Sequence, residues 1–330
     1  MPLRRYTPTP PQPQPQPQPA PPVVPPAVTS EEKIELVELF GQVPGIDAGK
    51  YGVLIEYEVP EGFCAEVVGI GVVPDWNTAT LVSNLWHIKV ARNSEEFWPP
   101  GDFKALARRY LNVFSYGSSA YKKPIFTFDR PYTLKFNTKD VIQLRGYADP
   151  NNAAEQVTAR MQVILYNEAA ALRLFGARIN SFATLPGGHM QSPIKRFQVF
   201  DGVILDTPTS GKSKWENVYD RELKNYETFK VTHVGVWSNS DNAWQLRLYD
   251  ERTREPIPHR EEYAWVVSMS FNMLPFGDAE DDLGMAQLDE KFQREYTFTT
   301  LEAQLKDSGT PVPAGSFAVQ LKGIYTYRGV

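Results

Sequence analysis

The chain has 330 residues, 42% of them hydrophobic and 22% charged, with a formal net charge of -5. That balance is globular rather than disordered, and it leaves no general basic field to hold nucleic acid. A single cysteine, Cys64, excludes an internal disulfide framework and a cysteine-based zinc site, and no apolar run approaches the ~18 residues of a membrane span.

Residues 1–28 hold 12 of the 28 prolines. Within them Pro11, Gln12, Pro13, Gln14, Pro15, Gln16, Pro17, Gln18 and Pro19 alternate strictly. Proline fixes φ and lacks the N–H donor, so this stretch reads as polyproline II, rising ~3.1 Å per residue, and not as a helix or a central strand. Its only charges are Arg4 and Arg5, and it has no apolar segment of the kind a secretory signal needs. A simple tether is the plainer reading of a Pro-rich tail. The sharper expectation is an extended arm that contacts chains other than its own.

Thr29 with Glu32 three residues on has the form of a capping box. Ile34, Leu36, Val37 and Phe40 give short helical spacings, although a strand fits the same residues. From Tyr51 onward the pattern is β. Tyr132, Leu134 and Phe136 alternate with Thr133 and Lys135. Val157, Ala159, Met161, Val163 and Leu165 alternate with Thr158, Arg160 and Gln162. Trp244, Leu246 and Leu248 alternate with Gln245, Arg247 and Tyr249, and Phe317, Val319 and Leu321 with Gln320 and Lys322. Period two of this kind marks strands with one face buried and one wet. Further strands are expected near 52–59, 63–73, 84–91, 140–147, 197–205, 227–237 and 263–273.

Two helices are expected. One is a short helix capped by Asp102, with Phe103, Leu106, Ala107, Tyr110 and Leu111 on one side. The other covers Asn167 to Phe175 and ends at Gly176. An internal repeat pairs Phe63–Val73 with Phe229–Trp237, and the strand ending at Tyr166 with the strand ending at Tyr325. The resulting organisation is all-β: an arm over 1–28, a connecting segment over 29–44, and two antiparallel β-sandwich, jelly-roll-like domains in tandem over 45–175 and 176–330.

No motif identifies an enzyme. Gly211-Lys212-Ser213 has the ending of a phosphate-binding loop, but Asp206 stands where its first glycine belongs, so a surface turn is expected. His87 and His233 fall within expected strands. Asp278, Glu280, Asp281 and Asp282 form the densest acid cluster, the candidate hard-oxygen ligands for a cation. They lack the spacing of a calcium loop, and a solvated acidic loop is the plainer reading. Trp76 and Trp98 fall in expected loops, where tryptophan docks a partner chain, stacks on a sugar or plugs the core beneath.

A Pro-rich arm followed by two β-sandwich halves resembles the jelly-roll or β-sandwich structural proteins of virions, the capsid, decoration, spike and neck proteins of icosahedral viruses and phages. The segments PYTLKFNTKDVIQL (131–144) and GTPVPAGSFAVQLKGIYTYRGV (309–330) carry the style of such strands. The resemblance implies a non-enzymatic protein without a cofactor, located in the virion after assembly in the host cytoplasm. Its partners would be further copies of itself and other virion proteins, with a host surface glycan as a further candidate. Double jelly-roll major capsid proteins place a helix in each jelly roll, which 102–114 fits and Leu283–Glu295 fits less well. The alternatives are a carbohydrate- or receptor-binding protein, which needs an exposed Trp76 or Trp98, and a glycan-active enzyme, which needs two carboxylates facing across a groove.

Overall fold

The β-branched and aromatic residues that alternate in the sequence do so because each strand packs one face on a core. A computed structural model describes residues 31–43, 49–74, 85–108, 126–147, 157–188, 194–238, 243–257, 265–268, 286–288, 290–315 and 317–328. The arm, Trp76 and the acid cluster at 278–282 lie outside the described residues. The fold is all-β, and its sheets are antiparallel.

Before the connecting helix the strands are β1 (Ile34–Val43), β2 (Tyr51–Glu58), β3 (Phe63–Pro74), β4 (Leu85–Arg92), β5 (Glu95–Trp98), β6 (Ala105–Arg108), β7 (Phe126–Thr127), β8 (Leu134–Phe136), β9 (Val141–Tyr147) and β10 (Val157–Asn167). One five-stranded sheet runs β1-β10-β3, with β7 and β8 both on β3. The other runs β2-β9-β4, with β5 and β6 both on β4. The first strand thus pairs with the last and the second with the next to last, the nesting of a jelly roll. Val67, Met161 and Val163 from one sheet share a core with Ile88, Val90 and Leu144 from the other.

After the helix come β11 (Ile194–Ile204), β12 (Trp215–Ser238), β13 (Ala243–Asp250), β14 (Glu255–Ile257), β15 (Trp265–Ser268), β16 (Ala286–Gln287), β17 (Glu295–Lys306) and β18 (Phe317–Arg328). The nesting repeats. β11 pairs with β18, and β18 with residues 227–238 of β12, which also take β16. Residues 215–223 of β12 pair with β17, and β17 with β13, which carries β14 and β15. The single 24-residue β12 therefore supplies both the second and the third strand of this jelly roll. Its register to β17 breaks between Leu223 and Thr228, and residues 228–230 pair with β17 as well as with β18, so the strands of this half join in one eight-stranded sheet. The repeated segments occupy equivalent strands: Phe63–Val73 lies in β3 and Phe229–Trp237 in β12, and each pairs with the final strand of its half.

The helix α1 (Glu168–Phe175) forms where expected. Asn167 caps it by accepting the Ala170 N–H, and Gly176 ends it at φ 66°, a left-handed conformation that glycine adopts at little cost. Tyr166, Phe175 and Phe182 meet ring to ring over Cys64, which is buried and unpaired, so α1 and the turn after it cover the outer face of β3 and β10.

Three expectations need correction. The helix over 102–114 is not there in its described part. Phe103 and Ala105 are buried and Lys104 is exposed, so period two prevails, and Ala105–Arg108 is β6 on β4. Residues 34–43, read as part of a connection with helical spacing, form β1, because β10 offers it an uninterrupted ladder of ten pairs. In Leu283–Glu295 the described residues give β16 and a short 3-10 turn at Glu290–Phe292 instead of a helix.

Candidate functional site

Glu32–Val330 makes one compact unit, and its hydrophobic core is continuous across both jelly rolls. Phe97 meets Phe136 on one side and Phe197 on the other, at 5.1 and 6.0 Å between ring centres. Phe103 lies 5.5 Å from Phe229 and 4.8 Å from Tyr325. Trp98 is 1% exposed and ringed by Phe126, Phe128 and Phe200. Its indole N–H donates to the Gln198 carbonyl at 2.8 Å. Trp98 is therefore a core plug between the halves, and it has no face left for a sugar or a partner chain. Loop tryptophans that dock and those that plug look alike in sequence; only the second jelly roll closing over this one distinguishes them.

Polar groups tie the same boundary. Gln198 donates to Asp129 Oδ2 and accepts from the Asp129 N–H, both at 2.6 Å. Asp201 accepts from the Lys104 N–H at 2.7 Å, from the Tyr219 hydroxyl at 2.7 Å and from Arg221 at 2.7 Å, while Arg221 also reaches the Asp102 carbonyl. These groups line a groove of about 630 Å³ between the halves. Its Asp201 is fully engaged, and Glu227 takes the Tyr325 hydroxyl and the Lys224 N–H, each at 3.0 Å. These two carboxylates are committed to structural bonds and are not the open, facing pair that glycoside hydrolysis needs; Asp102, Asp206, Asp220 and Glu222 also line the groove.

A second buried cluster has Glu66 at its centre. Thr133 bonds its carboxylate, the Tyr166 hydroxyl donates at 2.8 Å, Arg130 at 3.3 Å, and Lys135 Nζ stands 3.7 Å away. Lys135, expected on a wet face, is 1% exposed. It donates to the carbonyls of Pro131 and Pro186 at 2.6 and 2.8 Å, fastening the segment that leads into the second jelly roll. Burial, against the opposing pull of Glu66, lowers its pKa to about 8. Alternation alone could not show that this outer face would be covered.

The turn at Gly211-Lys212-Ser213 is organised by Asp307, which accepts from the N–H groups of Gly211, Ser213 and Gly309 and from the Thr209 hydroxyl. Its donors point inward at a protein carboxylate and do not form a phosphate cradle. Among the described residues no cluster of three acidic, histidine or cysteine side chains is placed to hold a metal, and no helix is long and apolar enough to cross a membrane.

The surface feature with binding character is β1. It is the terminal strand of its sheet among the described residues, and its ladder to β10 carries no bulge. Ile34, Leu36 and Phe40 are 49%, 63% and 66% exposed on its outer face. Glu38 between them is neutralised by Arg160 at 2.6 Å, which also lies 5.6 Å from the centre of the Phe40 ring. Asn167 donates its N–H to the Lys33 carbonyl, so the odd residues bond β10. Antiparallel alternation then turns the N–H and C=O of Ile34, Leu36, Glu38, Phe40 and Gln42 to the open edge. Natural edge strands carry proline, lysine or bulges against unwanted pairing, and β1 carries none of these.

No family model matches the chain, and no curated protein matches it in sequence. Among solved structures it is similar to viral major capsid proteins. The STIV MCP gives a TM-score of 0.40 at 11% identity, covering 90% of this chain and 97% of that one. A chain of the Sulfolobus Turreted Icosahedral Virus gives 0.37 at 10% identity, covering 90% and 91%. The major capsid protein P2 from bacteriophage PM2 gives 0.32 at 11%, covering 88% and 97%. Residue roles are therefore read from this chain's own geometry.

Proposed function

We propose that the chain is a non-enzymatic structural subunit of a virus or phage particle, a wall-forming capsid protein that assembles with copies of itself and with other virion proteins. The observation that carries this reading is the same jelly-roll nesting twice in one chain, fused through a common core, with an unguarded apolar strand left at one edge. A shell subunit has to be stiff inside and adhesive at its rim. Here the polar clusters are spent on internal locks, and β1 carries three of the seven large hydrophobics left exposed on described strands, the others lying on β2, β11 and β17. Jelly rolls also serve lectins, so fold alone does not choose between the two. The burial of Trp98 removes one of the two tryptophans offered for sugar binding, and the engagement of Asp201 and Glu227 withdraws those two carboxylates from a glycan-cleaving role.

The Pro/Gln arm belongs to the same proposal, as an element that runs over a neighbouring subunit. A polyproline segment loses little conformational entropy on docking, because its φ angles are already fixed. The test is the native mass of the assembly with and without residues 1–28, at low and high salt. The expected result is a smaller assembly after truncation and only a weak salt effect, since Arg4 and Arg5 are the arm's only charges. An unchanged native mass would overturn this part of the proposal.

A further inference from the structure

We propose that the occupant of the β1 edge is the Pro-Gln arm of a second copy of this chain, added as one more parallel strand. This inference rests on the assembly reading above and gives the arm its docking site.

The chemistry lies in the alternation. In an extended strand, successive residues send their backbone N–H and C=O to opposite sides and their side chains to opposite faces. Drawn out along an edge, Pro11 to Pro19 would therefore direct every Gln backbone to one side and every proline to the other. Gln12, Gln14, Gln16 and Gln18 would present four N–H and four C=O groups at two-residue spacing. β1 presents its open groups at the same spacing, from Ile34, Leu36, Glu38, Phe40 and Gln42. The nine residues of the alternating stretch match the ten of β1 in length.

The far side of the added strand would carry only prolines, which cannot donate, so the sheet would stop there. Side chains separate as well: one face takes all the proline rings, the other all the glutamine amides. Parallel pairing sets a proline level with each open residue of β1, so the rings would lie outward and cover Ile34, Leu36 and Phe40, the exposed apolar residues of that strand. The docked segment is uncharged, and Glu38 is already paired with Arg160, so no charge is buried unmatched. Between Gln18 and β1 the chain carries Pro19, Pro21, Pro22, Pro25 and Pro26. Proline at these positions favours an extended connection, which would carry the arm away from the chain's own β1 and toward a neighbouring copy.

The experiment uses full-length protein. Substituting Gln12, Gln14, Gln16 and Gln18 together by proline keeps the arm's length, neutrality and extension but removes its donors. Assembly should weaken by at least about tenfold, as expected when several hydrogen bonds are lost together. Hydrogen exchange on the wild-type assembly should show Leu36, Glu38 and Phe40 amides protected about tenfold or more over the variant, with Val37 and Leu39, bonded to β10, alike in both. Copies bearing Pro13→Cys or Pro15→Cys, which share the outer face with Leu36, mixed with differently tagged copies bearing Leu36→Cys, should give a mixed disulfide between chains on mild oxidation. The native Cys64 does not compete, since it is buried and its thiol is pushed up to about 12. The inference is overturned if the proline variant assembles like wild type, or if a protein carrying both cysteines links only within one chain, or if neither cysteine arrangement links at all. If deleting residues 1–28 breaks the assembly while those results hold, the arm docks elsewhere and the assembly reading survives. If the deletion leaves the assembly intact, the arm's part of the assembly reading falls with the inference, and the reading of the body as a shell subunit stands.

Discussion

The indole N–H of Trp98 donates to the main-chain carbonyl of Gln198 at 2.8 Å, joining β5 of the first jelly roll to β11 of the second. A hundred residues of chain separate the two. The bond lies in an aromatic cluster contributed by both halves, with Phe126, Phe128 and Phe200 around the ring. The jelly rolls are welded there, not merely strung together.

Trp98→Ala is expected to cost about 3–5 kcal/mol, the range for emptying a large aromatic site in a core. Because one core serves both halves, the wild-type body should unfold in a single transition, with calorimetric and van't Hoff enthalpies in agreement. Two separated endotherms in the wild type would contradict the shared core.

Lys135 makes stability rise with pH in a defined window. Its folded pKa of about 8 lies below the ordinary lysine value near ~10.4. Below pH 8 the folded protein carries the full cost of a buried ammonium. Between about 8 and 10 the folded lysine has shed its proton while the unfolded one keeps it, so folding gains. Tyr166, facing the same cluster with its pKa raised by burial and by Glu66, limits the window at the upper end. Lys135→Met should flatten this rise, and should lose roughly 1–3 kcal/mol at pH 7, because the Pro131 and Pro186 carbonyls lose their donor and Glu66 keeps Arg130 as its cation. Denaturant midpoints from pH 7 to 10 for the two proteins measure both effects.

Asp307 acts in the opposite sense at low pH. Burial opposes its charge, but bonds from Thr209, Gly309, Ser213 and Gly211 prevail and hold its pKa below the usual carboxylate value. Its contribution is present above the ordinary value of about 3.9 and is lost as pH falls through the lower folded one. Asp307→Asn should cost roughly 1–3 kcal/mol at pH 7, and its loss of stability on acidification should be smaller than that of the wild type. Equal acid sensitivity of the two proteins would count against this role.

Leu36→Asp combined with Phe40→Asp should leave the body folded, with stability changed by no more than about 0.5 kcal/mol, because both side chains are mostly solvent-exposed. The same pair should reduce the native mass of the assembly by adding charge to an apolar edge beside Glu38. A fall in melting temperature without a change in mass would assign these residues to the fold instead.

Local chemistry determined much of this protein before any packing was known. Asn167 and Gly176 bracket α1 because a side-chain acceptor and a left-handed glycine act on their own backbone within a few residues. The alternating strands were legible for the same reason, since one buried face and one wet face leave a period of two. The repeat of Phe63–Val73 in Phe229–Trp237 was legible because equivalent strands meet equivalent neighbours. Asp206 and the absent first glycine already marked Gly211-Lys212-Ser213 as a turn.

Tertiary structure alone decided the rest. Phe103 to Ala105 satisfied helical and strand spacings equally, and the choice fell to β4, which offered a ladder on one side and a core on the other. β1 formed because a partner strand was waiting, 114 positions away for Val43 and 132 for Ile34, a fact absent from residues 29–44 themselves. Lys135 sits in an alternating strand and reads as wet, yet the segment at Pro186 folds over it. Trp98 reads as a loop tryptophan until the second jelly roll closes on it. In each case the sequence specifies what a residue can do within a few neighbours. Which surface later covers it is set by chain from 17 positions away, for Ala105 on β4, to 132, for Ile34 on β10, and only the folded molecule brings that chain near.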